Sequence, residues 1–290
     1  MKIKIAVIGV VYPAIAPHIN TYIKSLEDQT FKDFDLIIMN DNWKDANKYF
    51  SKSKLSYKIF EARGNPSQIR KDLITKVVNL DYEKIIFTDC DDFFSTNRVE
   101  VSILNLKKYD IVVNDLDLFF QKNQSTKSLY LSNRIKDRQI INLEDIFHAN
   151  MMGLSNTATN SNVLKKCISK LNKDPIALDW FIWSHALNLG FKAIFTSETS
   201  TKYRIHSNNV AGLPQKIIRK EVLHGIAIKT DHYRALKRLN RKYERLYNDF
   251  LVIKKKSKDE EWLNVYLDKL ISSEAINPMW WENIKTFNEE

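Results

Sequence analysis

Lys84-Ile85-Ile86-Phe87-Thr88-Asp89-Cys90-Asp91-Asp92 decides how the chain is read. Its apolar, β-branched first half is what a strand buried on both faces carries, and three carboxylates follow directly. Like charges packed at the end of a strand repel unless a cation or hydrogen-bond donors compensate them. A hard divalent cation would do so, since Mg²⁺ or Mn²⁺ takes one or two carboxylates and completes its shell with phosphate oxygens. The competing reading is an acidic turn that caps the next helix.

Outward from this segment, short β-branched runs alternate with amphipathic stretches. Strands are expected at Ile3 to Val11, Asp35 to Met39, Ser56 to Phe60 and Lys84 to Thr88. Ile19, Tyr22, Ile23 and Leu26 fall at helical spacing, and Ser67 opens a helix carrying Ile69, Leu73, Ile74, Val77 and Val78. The alternation predicts an α/β fold with a Rossmann-like, mostly parallel sheet flanked by helices, in which ligands bind beyond the carboxyl ends of the strands. Further strands are expected at Asp110 to Val113, Leu129 to Leu131, Ala193 to Phe195 and Ser200 to Tyr203. Helices are expected at Val163 to Leu171 and at Leu178 to Leu189, the latter closed by Gly190. After Pro214 the sequence becomes long, basic and helix-favouring and ends in Trp280 and Trp281. The expected division is therefore a nucleotide-binding and catalytic domain over 1–212 and a basic helical appendage over 213–290.

The composition agrees with a packed chain. Of 290 residues 44% are hydrophobic and 28% charged, so a core can form, and 6 Gly, 6 Pro and 2 Cys exclude collagen-like and disulfide-framework classes. Met1 to Lys4, Ile5 to Tyr12 and Ala14-Ile15-Ala16 superficially match a secretory leader. The run is short, β-branched and closed by Pro13, and is read as a buried first strand, with a cytoplasmic protein expected. The net charge of +10 is concentrated late: Gln215 to Lys256 holds 13 Lys and Arg against 4 Asp and Glu. Such a segment favours phosphate-rich surfaces, either nucleic acid or the inner face of an anionic membrane. A nucleic-acid-binding α/β protein is disfavoured because no aromatic stacking platform or recognition motif accompanies the charge. No G-x-x-x-x-G-K-[ST] loop, G-x-S-x-G elbow, H-E-x-x-H or paired C-x-x-C is present.

Read in order, several stretches resemble family 2 glycosyltransferases of the GT-A type. Ser25-Leu26-Glu27-Asp28-Gln29-Thr30, continuing to Asp35-Leu36-Ile37-Ile38, is similar to that family's first helix and second strand. Asn40-Asp41 sits where the family has paired aspartates, and Asp89-Cys90-Asp91 at its D-x-D. Gly64 to Arg70 resembles its glycine-to-arginine segment, and Asp179-Trp180-Phe181-Ile182-Trp183 its E-D-W-x-x-W, with Leu178 replacing the usual glutamate. Tyr203-Arg204-Ile205-His206 resembles its Y-R-x-H. The resemblance implies a metal-dependent, inverting transferase moving a sugar from a nucleotide-diphosphate donor to a glycan or lipid-linked hydroxyl, as in surface polysaccharide assembly. Val11, Asp41, Arg70, Asp89, Asp91 and Arg204 would then bind the nucleotide-sugar. Asp91, Asp89 and His206 would hold Mn²⁺ or Mg²⁺, and Asp179 would be the general base. Each residue also has a plainer reading: an Asx turn for Asp41, a solvated surface for Arg70, a helix cap for Asp179 and a structural imidazole for His206. A sugar-phosphate nucleotidyltransferase shares the scaffold, but Gly9 is followed by Val10-Val11-Tyr12-Pro13 rather than by a glycine-rich turn.

Overall fold

The strong β-formers do pair. In the computed structural model, which describes residues 3–120, 122, 124–169, 177–206, 213 and 216–287, the strands are β1 (Ile5–Val11), β2 (Asp35–Asp41), β3 (Tyr57–Ala62), β4 (Lys84–Phe87), β5 (Phe93–Phe94), β6 (Ile111–Phe120), β7 (Ser125–Lys127), β8 (Ile140–Ile141), β9 (Thr157–Asn160) and β10 (Ala193–Ile205). They form one sheet in the order β3-β2-β1-β4-β9-β6-β10-β5, with β7 added to β6 and β8 to β10. The long pairings, β1 with β2 and β4, β2 with β3 and β6 with β10, are parallel; the antiparallel ones are short. Ala6, Val7, Ile8, Leu36, Ile37, Ile38, Ile85 and Ile86 are almost completely buried, as expected of strands covered on both faces.

The flanking helices of this part are α1 (Ile19–Glu27), α2 (Ala46–Phe50), α3 (Pro66–Asn79), α4 (Arg98–Asn105) and α5 (Ser161–Ile168). Helix α1 buries Ile19, Tyr22, Ile23 and Leu26, the four positions at helical spacing. Helix α3 starts at Pro66, one residue before the expected Ser67. Asn65 is its cap, accepting a 2.9 Å hydrogen bond from the Gln68 amide, and Pro66 sits where its missing N–H costs nothing.

Three expected elements differ. Leu129 to Leu131 is not a strand: Leu129 has φ +54°, and the buried carboxylates of Asp115 and Asp117 capture the amides of Leu131 (2.8 Å) and Leu129 (2.9 Å). Ala193 to Phe195 and Ser200 to Tyr203 are one strand, β10, carried through a register shift between Thr196 and Ser200. Thr157–Asn160, unremarked in the sequence, is inserted antiparallel between β4 and β6. The expected helix from Val163 ends at Ile168 within the described residues, and its last position, Leu171, lies outside them.

A second unit comprises Asn142–Met151, Lys173–Leu189 and Ser207–Glu290; the sheet and its helices are the first, Met1–Ile141, Met152–Asn172 and Gly190–His206. This division differs from the expected boundary at 212, and α6 (Leu178–Asn188) supplies the physical reason. Leu178 and every residue from Trp180 to Leu187 are buried, so the helix must be covered all round. Trp180 donates from its indole to the Ile146 carbonyl at 2.7 Å and stacks on His232 at 3.8 Å. The other helices of this unit are α7 (Arg219–Leu236), α8 (Arg241–Lys256) and α9 (Glu260–Ser272). Gly190 follows α6 at φ +86°, the left-handed residue that ends a helix.

At the centre of the second unit Lys229 is buried on α7, its Nζ donating to the carbonyls of His148 (2.6 Å) and Ile284. Burial pushes its pKa down from 10.5 to about 7, against the opposing pull of Glu282. A neutral amine keeps two N–H donors, enough for both carbonyls. Between about pH 7 and 10.5 the unfolded chain retains a proton that the folded chain has released, so stability rises with pH across that window. Thermal unfolding between pH 7 and 9 should show this positive slope, and Lys229→Met should reduce it; parallel curves would contradict a buried, neutralising Lys229.

Candidate functional site

The strand order places β2 and β3 on one side of β1 and β4 on the other, so the sheet changes winding direction between β1 and β4. Crevices beyond the carboxyl ends of strands at such a point are where open α/β sheets bind ligands. The residues there are Tyr12 after β1 and Thr88 to Asp92 after β4. Thr88 fastens the two strand ends together: its amide and its hydroxyl both donate to the Ile8 carbonyl, at 2.9 and 2.8 Å, and its Oγ1 pairs with Tyr22 Oη at 2.8 Å. Gly9 makes the approach feasible, because a Cβ there would lie 2.6 Å from Cys90 Sγ and 3.0 Å from Thr88 Oγ1.

The three carboxylates have three different environments. Asp89 pairs with Arg70 of α3 at 3.1 Å; burial and Asp91 push its carboxyl up while Arg70 pulls it back. Asp91 Oδ2 meets His206 Nε2, just past β10, at 3.0 Å. Asp92 is 1% exposed and turns inward, accepting from the Arg204 amide at 2.8 Å and from the Ser155 hydroxyl. Burial, and then the neighbouring Asp91 and Asp89, raise its pKa well above the ordinary carboxylate value. Burial also pushes the Cys90 thiol up, with the three carboxylates reinforcing the shift, which removes it as a nucleophile.

Of the other expected residues, Asp41 ends β2 half-buried, with Oδ1 accepting from Asn42 Nδ2 at 3.0 Å. Val11 is completely buried in the apolar core, so its side chain is not open to a ligand, and the half-buried Tyr12 follows it. Arg204 is 6% exposed, lies over the rings of Phe93 and Phe119, and donates from Nε to the Asp91 carbonyl at 2.7 Å. Its visible work is to brace the acidic turn. A small pocket lined by Gly9, Val10, Arg70, Leu73, Thr88, Asp89 and Leu154 adjoins the turn.

Asp179 belongs to the second unit. It is the second residue of α6, and Ala177 occupies the cap position, so the expected capping role falls away. Its Oδ1 accepts from the Trp180 amide at 2.8 Å and its Oδ2 from Asn150 Nδ2 at 3.1 Å.

No family model matches the chain, and no curated protein matches it by sequence. Solved structures do match. S. aureus TarS 1–349 in complex with UDP-GlcNAc is similar at TM-score 0.61 and 12% identity, over 88% of this chain and 72% of that one. The complex of the same TarS fragment with UDP gives 0.60 at 12% identity over 86% and 71%. TarS 1–349 alone gives 0.59 at 13% identity over 94% and 92%. The fold is GT-A-like.

Within this GT-A-like scaffold, sequence reasoning missed three residues. Tyr12 adjoins the acidic turn: burial raises its phenol pKa, and Asp91 and Asp89 add to the effect. His18, 8% exposed, stacks on His206 at 5.4 Å, and burial lowers its pKa, with Arg204 and His206 next in effect. Arg98, 1% exposed, donates to the Phe87 carbonyl at 2.7 Å and to Asn114 at 3.1 Å. Burial lowers its pKa to about 9, still above neutrality, so a positive charge lies behind the turn at neutral pH. The one sequence signal for Arg98 was its nearness to the acidic run.

Among the described residues no group of three or more His, Cys, Asp or Glu side chains is arranged to hold a metal ion. Asp91 and His206 together offer one carboxylate and one imidazole, a donor pair that fits a divalent ion drawing its other ligands from phosphate and water. Gly9→Ala should force Cys90 and Thr88 apart and cost about 1–3 kcal/mol. Urea denaturation measures it, and an unchanged midpoint would show that the turn can move away freely.

Proposed function

We propose that the chain is a metal-dependent, inverting glycosyltransferase that uses a nucleotide-diphosphate sugar. The observation that carries this reading is the meeting of Asp91 and His206, 115 residues apart, at the switch point of a GT-A-like sheet, beside the Arg70–Asp89 pair. The TarS structures of the same fold hold UDP and UDP-GlcNAc, which makes these the first donors to test.

In this reading Asp91 and His206 hold Mn²⁺ or Mg²⁺, with Asp89 in support, and the ion when bound neutralises charge on the departing diphosphate. Arg70 contributes a second positive group from α3, and Asp41 and the end of β1 receive the nucleoside. Arg204 acts on the donor site by holding the main chain of Asp91. Asp179 accepts the acceptor hydroxyl's proton as the oxygen bonds to the anomeric carbon. The bond from that carbon to the diphosphate oxygen breaks, and the nucleoside diphosphate leaves with its electron pair. The transferred group is a hexosyl or N-acetylhexosaminyl unit, and the acceptor a glycan or lipid-linked hydroxyl of surface polysaccharide assembly.

Ligand binding to the folded state raises its melting temperature. UDP with Mn²⁺ should therefore stabilise the wild type and Asp179→Asn equally, and Asp91→Asn much less. UDP release from UDP-GlcNAc should fall about 10²- to 10⁴-fold in Asp179→Asn. Full turnover in that variant would remove Asp179 as the base, and an Mn²⁺-independent shift would remove the metal.

The acceptor reading extends to the basic helices, as a cytoplasmic enzyme lying on the inner face of a membrane. No described helix is long and apolar enough to cross one. On α8, Arg241, Arg245, Lys254 and Lys255 are exposed together with Leu251 and Val252, a mixture suited to an anionic lipid surface. Flotation with phosphatidylglycerol vesicles, lost in high salt and absent with neutral vesicles, is the expected outcome; no flotation would leave α8 as a solvated face.

A further inference from the structure

The described segment after α9 is tied to the rest of its unit. Trp280 and Asn150 exchange main-chain hydrogen bonds, Asn150 N to Trp280 O at 2.9 Å and Trp280 N to Asn150 O at 3.1 Å, forming an isolated antiparallel bridge. Asn150 is 1% exposed, and its side-chain amide points its Nδ2 at Asp179 Oδ2, 3.1 Å away. The other carboxylate oxygen of Asp179 is taken by the Trp180 amide. We propose that Asn150 is a positioning residue for Asp179, and that the segment from Met279 to Ile284 is a strap that holds Asn150 in place.

Several independent features hold the strap. Lys229 Nζ binds the His148 carbonyl, two residues before Asn150, and the Ile284 carbonyl, so one buried amine ties both partners to α7. Gly225 on α7 leaves the space that Ile284 fills: a Cβ there would lie 2.6 Å from Ile284 Cγ1. Tyr266 of α9 donates to the Lys285 carbonyl at 2.6 Å, and the Ala275 amide donates to Asn283 at 3.1 Å. Trp281 sits at φ +66°, a conformation that a bulky side chain avoids unless its surroundings impose it. A free tail would relax that residue; this one keeps it strained beside the bridge to Asn150. The contacts therefore converge on one result, a fixed amide donor against one oxygen of Asp179. A donor held on the anionic form stabilises that form and fixes the direction of its remaining lone pairs.

The proposal rests on Asp179 as the general base, and its test separates the two ideas. The carboxyl carbons of the full chain are labelled with ¹³C-aspartate and titrated by NMR, with the Asp179 signal assigned by its loss in Asp179→Asn. Asn150→Ala removes the donor, and Asn150→Asp keeps the shape while setting a second carboxylate there. Gly225→Ala displaces Ile284 from a distance, at a helical position where alanine is otherwise favoured. The Asp179 midpoint should rise in all three, most in Asn150→Asp. In parallel, UDP release from UDP-GlcNAc should fall about 10- to 100-fold in Asn150→Ala, the range expected for a hydrogen bond to a charged group, with the UDP and Mn²⁺ thermal shift retained. An unmoved midpoint in Asn150→Ala and Gly225→Ala overturns the strap. A raised midpoint with Asp179→Asn still fully active leaves the contact real, refutes the base and, with it, the catalytic meaning of the strap. If Asn150→Ala fails to fold, Gly225→Ala and Asn150→Asp decide by the same readings.

Discussion

Three carboxylates within four residues at the end of β4 are the constraint around which the first unit is built. Removing charges from water costs several kcal/mol for each ion unless partners replace the lost solvation. Each aspartate has its own replacement: Arg70 for Asp89, His206 for Asp91, and the Arg204 amide with Ser155 for Asp92. Behind them lies Arg98, buried and charged, bonded to the carbonyl of Phe87 at the root of the turn. These partners come from α3, β10 and the chain just beyond it, α4 and the segment before β9. The acidic turn therefore draws together much of the sheet.

The same demand explains the oddities nearby. Gly9 is required because the turn folds back onto β1 more closely than any side chain allows. Asp115 and Asp117 are almost fully buried in β6, yet neither is part of the acidic turn. Asp115 binds the amides of Leu131 and Ser132, and Asp117 that of Leu129, so together they shape the loop beyond β6. Burial alone raises the Asp115 carboxyl, while hydrogen bonds from Lys202 and Ser200 outweigh burial and lower that of Asp117. Buried polar groups here set loop conformations, as buried groups with satisfied bonds do.

In the second unit the organising group is a buried amine. Lys229 donates to two carbonyls that lie in different segments of chain, with the Phe250 ring under its amine and the charges of Glu282 and Lys285 acting on it, while Trp180, His232, Tyr233 and Tyr243 pack ring on ring in the same unit. Some of the basic side chains of this region have partners within the protein, although of Lys229, Lys237, Lys242 and Arg219 only Lys229 is buried. Lys229 is buried, Lys237 lies over Tyr247, Lys242 over Phe147, and Arg219 pairs with Glu260.

Local pattern alone determined β1 to β4, α1 and α3, because each is a run whose own periodicity fixes which side chains are buried. It also determined that the acidic turn follows a buried strand, since both lie in one stretch of nine residues. The chain beyond residue 110 was less legible. Thr157–Asn160 carries no alternation and becomes a strand only because β4 and β6 leave a gap that two antiparallel ladders can fill. Leu129 to Leu131 has strand-like residues, but distant carboxylates capture its amides. The tertiary structure alone put His206 beside Asp91, Arg98 behind the turn and Asn150 against Asp179. Those meetings depend on long-range chain closure and on the cost of leaving a buried charge unpaired, and neither quantity is a property of any short window of residues.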